Sequence, residues 1–421
     1  MPETWASSFS NPAWIPEEKF NIGLPSFYFN NNGFTKDLRD FVDFNGNNPS
    51  FDLGEFANGL ESDFKFETEQ VFHPVYFSLK LKNFRVGLEY SLHNKSIVNI
   101  PDDFFKFLAF GNSSFVDQTL NLGPEVFSIA YHKLSLPIAF ETGKWTFGFR
   151  PSILKGAFSI KTEQSQLDLF TNPEYYQLEL TSNFFIQSSG VLTSNTSSQL
   201  GIDFVDNIFE NGLSWKGNTG VNLDLGVRYK HNEKLTFGLS ATGIGQITWD
   251  RGVRAFSSNG TTEFNGLDLN AIVNGDSLNL ESTFDDLVES FQLDESNLTN
   301  FETKTSKNIY LNVRYEFNEY LETAGIVYAE FFNGKTDPAG ALNFRVKTGK
   351  ALSIGLSYGV RENQWDNIGV NFLLELGPVQ LFVASNNILN ISNFLGRNST
   401  NLRLGASFAF NGKDKVIVEK D

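Results

Sequence analysis

Arg403-Leu404-Gly405-Ala406-Ser407-Phe408-Ala409-Phe410, near the C-terminal end of the chain, changes chemistry from one residue to the next. In an extended strand successive side chains point to opposite faces. Leu402, Leu404, Ala406, Phe408 and Phe410 therefore share one face, and Arg403, Gly405, Ser407 and Ala409 the other. One such stretch is a weak signal, because any amphipathic edge strand produces it. The same period recurs upstream. Phe84, Val86, Leu88, Tyr90 and Leu92 alternate with Arg85, Gly87, Glu89, Ser91 and His93. Trp145, Phe147 and Phe149 alternate with Thr146, Gly148 and Arg150, and Val221 to Tyr229 with Asn222, Asp224, Gly226 and Arg228. Ile309 to Phe317 alternates with Asn308, Asn312, Arg314 and Glu316, and Leu342, Phe344 and Val346 with Asn343, Arg345 and Lys347. A helical protein does not produce this in so many separate segments.

Composition agrees. The chain has 421 residues, of which 15% are aromatic and 44 are Phe. Mean hydropathy is nevertheless −0.23, so apolar residues are finely interleaved with polar ones. No apolar run reaches the ~18 residues of a transmembrane helix. A membrane-spanning strand needs only ~9–11 tilted residues with one apolar face. There is no cysteine, which removes disulfides, thiol nucleophiles and thiolate metal sites. A net charge of −16 speaks against nucleic acid as a partner.

A soluble sandwich also alternates, with its apolar face turned inward. Long segments, and connections that alternate between short and long, favour the inverted arrangement with the apolar face toward lipid. Tight turns are expected at Lys82-Asn83, 141–144, 231–234, 318–320, 348–350 and Gly377-Pro378, with long connections at 30–71, 98–124, 161–211, 249–303, 332–339, 361–366 and 386–400. The expected fold is all-β: a fourteen-stranded antiparallel transmembrane β-barrel with an N-terminal plug segment (1–18), a barrel over 19–410 and a periplasmic tail (411–421). Loops 30–71, 98–124, 161–211 and 249–303 would be extracellular, and 176–189 would be the return arm of a hairpin above the membrane. An even strand number places both termini in the periplasm. Residues 1–5 lack the features of a signal peptide, so the expectation is a mature or re-engineered form.

Arg403, Gly405, Phe408 and Phe410 match the closing-strand pattern read by the barrel-assembly machinery of the Gram-negative outer membrane. Pro101-Asp102-Asp103 followed by Phe104, Phe105, Phe107 and Phe110 predicts a short loop helix with acids at its start. Asp285-Asp286-Leu287-Val288 is a second candidate helical turn. Asp43-Phe44-Asn45-Gly46-Asn47 opens like a calcium loop but has Asn48 and Gly54 where that loop needs Gly and Glu, so no metal is expected there.

Asn11-Pro12-Ala13, just before the first strand, resembles an element of fatty-acid-transporter-like (FadL/PorV-type) outer-membrane barrels. Further stretches carry the resemblance: Gly111-Asn112, Leu122-Gly123 leading to Ala130-Tyr131-His132, Leu154-Lys155-Gly156 with 162–169, Gly243-Ile244-Gly245-Gln246-Ile247-Thr248-Trp249, and the closing strand. The order spans essentially the whole chain. It points to a branch related to the accessory barrels of type 9 secretion, and it implies fourteen strands with an N-terminal segment tucked inside.

The inward faces would carry Arg85, Glu89, Arg150, Asp224, Arg228, Arg314, Glu316, Arg345, Lys347, Glu375 and Arg403. Mixed charge of this kind would pair internally and with Asn11-Pro12-Ala13 to leave a plugged lumen; the alternative is a hydrated lumen with unpaired charges. Two functions compete. In one, a hydrophobic or amphiphilic small molecule enters past an apolar site made of Phe104, Phe105, Phe107 and Phe110. In the other, the barrel is a plugged accessory subunit holding outer-membrane or surface-exposed proteins in a complex. The rings have a plainer role open to them, packing the loop helix onto its neighbours. Enzyme motifs are absent: His73, His93, His132 and His231 show no ligand spacing, and no nucleophile elbow or phosphate loop occurs. No cofactor is expected.

Overall fold

The computed structural model describes residues 4–14, 16, 18–34, 41–43, 50–174, 176–194, 202–204, 216–264, 293–296, 298–349, 351–361, 364–389 and 400–410. Its centre is a closed barrel of fourteen antiparallel strands. These are β1 (Phe20–Gly23 with Ser26–Phe34), β2 (Phe64–Leu81), β3 (Phe84–Ile100), β4 (Glu125–Ser135 with Ile138–Thr142) and β5 (Trp145–Thr171). They continue as β6 (Thr219–Lys230), β7 (Leu235–Trp249), β8 (Phe301–Lys304 with Lys307–Glu316), β9 (Leu321–Phe332) and β10 (Lys335–Thr348). The last four are β11 (Leu352–Arg361), β12 (Gln364–Leu376), β13 (Val379–Ser385) and β14 (Thr400–Phe410). The interruptions in β1 and β4 fall at Pro25 and Pro137, which have no N–H to give to the ladder. Each strand pairs with its successor, and β1 returns to β14 with Phe20 opposite Phe410 and Tyr28 opposite Arg403.

The side chains are sorted as the alternation requires. On β3, Phe84 and Leu88 are each 50% exposed, whereas Arg85 and Glu89 are 2% exposed. On β5 the same contrast separates Phe147 and Phe149 from the buried Arg150. An exposed aromatic exterior around a charged interior is inside-out for water and correct for a bilayer. The protein is a transmembrane β-barrel of the outer-membrane type. No helix among the described residues is long and apolar enough to cross a membrane.

Several boundaries move. The expected long connection at 332–339 is a two-residue turn, Asn333-Gly334, with Phe332 opposite Lys335. Both turn residues have positive φ, 46° and 75°, so Asn and Gly are the residues that tolerate this tight hairpin. Arg361 pairs with Gln364, so the connection at 361–366 is short as well. Strict alternation of short and long connections therefore fails at β9–β12. The 30–71 connection gives up its end to β2, which starts at Phe64.

β5 runs far beyond the lipid-facing band. Its outer part, Ser159–Thr171, pairs with Leu178–Ser189, the return arm expected over 176–189. That arm pairs on its other edge with Val253–Phe264, so part of the 249–303 connection is strand. Ile160, Phe184, Ile186, Val191, Leu192, Phe256 and Leu293 pack this outer sheet. α1 (Leu53–Gly59) is capped by Asp52, whose side chain accepts the Glu55 N–H at 2.8 Å. α2 (Asp102–Phe110) is the expected loop helix, with Asp102 and Asp103 in its first turn. The 411–421 tail, the turn at 285–288 and the Asn45–Asn47 stretch lie outside the described residues.

Gly405 lies in the closing seam of the barrel, where there is little room for a side chain. A Cβ there would lie 2.6 Å from Phe382 Cζ and 2.8 Å from Ser26 Cβ, on the two neighbouring strands. Gly405→Val is expected to cost about 1–3 kcal/mol by overpacking. Heat-modifiable gel mobility of the refolded barrel measures it as a lower folded fraction, and an unchanged fraction would show that the seam has slack.

Candidate functional site

The N-terminal segment lies against the inner wall. Trp5 is fully buried, stacks on Tyr76 at 4.7 Å, and joins Leu373 and Phe382 in an apolar cluster. Asn11 donates from Nδ2 to the Val227 and Leu239 carbonyls at 3.3 Å each, and its Oδ1 accepts the Ala13 N–H at 2.8 Å. Ser240 Oγ donates to the Ser10 carbonyl at 2.6 Å. Beneath these residues Ala139, Gly148, Gly226 and Ser240 stand side by side across β4–β7. A Cβ on Gly148 would come within 2.3 Å of Ala13 N, and one on Gly226 within 2.1 Å of Asn11 Oδ1. Small residues in this row are what let the Asn11-Pro12-Ala13 backbone approach the wall.

Charge is committed just above. Arg150 Nε donates to Asp224 at 2.7 Å, and its Nη atoms donate to the Ser8 and Phe9 carbonyls at 3.1 Å. Glu89 lies 3.4 Å from Arg150 and 3.5 Å from His73, and Lys133 stands 3.1 Å from Asp224. Asp224 Oδ1 also accepts the Gly243 N–H at 2.6 Å, in the bulged region of β7. Arg85 differs from the expected ion pairing: it donates to Ser78 Oγ at 2.8 Å, to the Pro16 carbonyl at 2.6 Å and to the Glu18 carbonyl. Backbone oxygens of the entering chain reach it where no carboxylate among the described residues does.

Nearer the tight-turn end, Arg228 pairs with Glu141 at 3.1 Å and lies over Trp14 at 5.6 Å. Arg314 pairs with Glu322 at 2.6 Å and Glu316 at 3.3 Å, and Arg345 meets Glu322 at 2.7 Å. Arg403 is held by rings: its guanidinium lies 4.5 Å from the Tyr28 centroid and 5.3 Å from that of Phe9.

A second ionic cluster escaped the sequence reading. Lys95 contacts Glu67 at 3.2 Å and Glu330, and Arg361 contacts Asp337 and, at 3.7 Å, Glu330. Lys95 sits in phase with Arg85 and Glu89 on β3 and was legible there; Arg361 and Asp337 fell in stretches expected to be loop. Toward the loops, Phe127, Ile129, Leu154, Ile247, Trp249, Phe301 and Phe332 form an apolar cap across the interior. Trp249 is fully buried, donates from Nε1 to Thr303 Oγ1 at 2.8 Å, and rests over Gly156, where a Cβ would be 2.3 Å from its ring. Between cap and N-terminal segment lies a chamber of about 470 Å³.

The four loop rings do not converge on one pocket. Phe104 and Phe107 cover Leu120, Leu122, Leu169, Leu178 and Leu180. Phe105 meets Phe56 of α1 at 5.1 Å and Phe64 at 5.6 Å, and Phe110 lies near Gly54 at the start of α1. Packing explains their spacing. In the same helix the hydrogen bond to Asp102, at 2.7 Å, raises the pKa of Lys106 above its ordinary value. Among the described residues no group of acids and histidines could hold a metal ion.

Removing one partner of a buried ionic cluster leaves the others uncompensated, at a cost of ~3–5 kcal/mol. Arg150→Ala is expected to lose that much in urea unfolding from lipid vesicles, since Glu89 and the Ser8 and Phe9 carbonyls lose their donor together. A loss below ~1 kcal/mol would mean that the charges are solvated, as exposed pairs are.

Solved structures similar to this chain include the toluene transporter TbuX of Ralstonia pickettii (TM-score 0.44, 9% identity, 96% of this chain and 94% of that one). Others are a FadL homologue of Pseudomonas aeruginosa (0.44, 12%, 98% and 95%) and the toluene transporter TodX of P. putida (0.44, 11%, 96% and 93%). No curated protein matches the chain. One protein-family model, described as a family of unknown function (DUF5723), matches residues 12–386. The chain belongs to the DUF5723 family.

Proposed function

We propose that this barrel takes an amphiphilic small molecule into its interior chamber and passes it across the outer membrane, with the N-terminal segment as a hatch and both termini periplasmic. The chamber carries this reading. Its volume of about 470 Å³ is that of a small-ligand site. One part of its lining is small and apolar, with Ile326, Ala339, Ala341 and Gly359; elsewhere it offers Tyr28, Arg403 and other polar groups. An amphiphile buries its apolar body against the first and satisfies the second, which an entirely apolar molecule would leave unpaired. Ala6, Phe9 and Ser10 line the chamber too, so the segment docked on the Gly148–Gly226 row borders the ligand's space. An accessory subunit that only holds partner proteins has no use for such a chamber.

Two measurements test this. Gly359 stands opposite the inward-facing Ala341 and has room for a side chain, since its nearest Cβ contacts are Gly340 O at 3.6 Å and Ala341 Cβ at 3.7 Å. 2-Phenylethanol, a neutral amphiphile, is expected to raise the thermal midpoint of the wild-type barrel and to leave Gly359→Trp, with its chamber filled, unmoved. An equal response in both would place binding outside the chamber. For the hatch, Gly148→Leu puts a side chain where Pro12 and Ala13 lie, so its single-channel conductance is expected to exceed that of the wild type; equal currents would remove the hatch from the proposal.

A further inference from the structure

The chamber's basic groups are spoken for, with one exception. Arg150 and Lys133 are held by Asp224, and Arg361 by Asp337 and Glu330. Arg403 has only the faces of Tyr28 and Phe9, and among the described residues no carboxylate or carbonyl accepts from its guanidinium. A matching exception exists among the acids. Glu69 also lines the chamber and makes no hydrogen bond or ion pair within 4.0 Å among the described residues. Lys95, its cross-strand partner, is turned to Glu67 at 3.2 Å and to Glu330.

These two groups are neighbours. Arg403 on β14 stands opposite Tyr28, and Glu69 on β2 stands opposite Asn30, so they flank β1 one pleat apart. Two inter-strand spacings of ~4.8 Å and one two-residue step of ~6.8 Å put their Cα atoms about 12 Å apart. Both side chains reach inward across that gap. A cation and an anion without salt-bridge partners in the chamber each carry a desolvation penalty that an opposite charge relieves. A simple acid would answer Arg403 and leave Glu69, and a simple amine the reverse.

Resting on the chamber reading above, we infer that the ligand is a small zwitterion. Its carboxylate lies on Arg403, its ammonium on Glu69, and its apolar body on the wall formed by Ile326, Ala339, Ala341 and Gly359. The test compares four probes that share a phenylethyl body, on the intact barrel in detergent, by calorimetry: phenylalanine, 3-phenylpropionate, 2-phenylethylamine and 2-phenylethanol. Phenylalanine is expected to bind at least about ten-fold more tightly than the other three, because each buried charge pair contributes on that scale. Arg403→Gln is expected to reduce phenylalanine to the affinity of the amine, Glu69→Gln to that of the acid, and Arg403→Lys to restore part of the loss. Arg403 belongs to the closing strand, so heat-modifiable mobility is checked for each variant, and Glu69→Gln carries the test if Arg403→Gln does not assemble. If 2-phenylethanol binds as tightly as phenylalanine, the charge recognition is wrong while the chamber stands. If phenylalanine keeps its affinity in both Gln variants, the inference fails in the same way. If none of the four binds, inference and chamber reading fall together.

Discussion

Hydrocarbon offers no partner to a peptide N–H or C=O, so a strand that enters it must find both neighbours within the protein. Everything else in this molecule follows from meeting that condition by closing the sheet, with β1 against β14. Closure removes the edges, and it also makes two environments out of one alternating pattern. The outer face can be aromatic because it never meets water, and the inner face can be charged because it never meets lipid.

Closing fourteen strands creates an interior too wide for the wall's side chains to fill, and the chain deals with the space in layers. At the tight-turn end Trp5 and the Asn11-Pro12-Ala13 backbone occupy it, admitted by a row of residues without bulk. Above them ionic clusters tie neighbouring strands to one another and to the carbonyls of Ser8 and Phe9. Toward the loops the apolar group around Trp249 crosses the interior. What remains between is the chamber, whose free charges are conspicuous because the surrounding ones are so completely paired.

The legible part of the fold was the part that depends on local periodicity. Arg85, Glu89, Arg150, Asp224 and Arg345 alternate with apolar neighbours, and each is buried on the inner face. Connections were less legible. Asn333-Gly334 is a strong hairpin signal in itself, yet the polar residues that follow it, Lys335, Thr336 and Asp337, read as loop although they continue a strand. Glu330, Asp337 and Arg361 could not be grouped in advance, because they meet only when β9, β10 and β11 stand in register. The Phe104–Phe110 rings show the converse limit: an aromatic cluster in sequence splits over two surfaces once α1 and the outer sheet are in place.

By itself the amino-acid sequence determined the class of fold, the orientation of each strand's two faces and the need for charges to be enclosed, since these depend on residues two apart. Which cation meets which carboxylate was decided only by the tertiary structure. So were the depth at which the N-terminal segment docks, and the lack of a salt-bridge partner for Arg403 and Glu69 among the described residues. Those contacts join residues tens to hundreds of positions apart, and their partners are set by strand register and barrel closure rather than by local pattern.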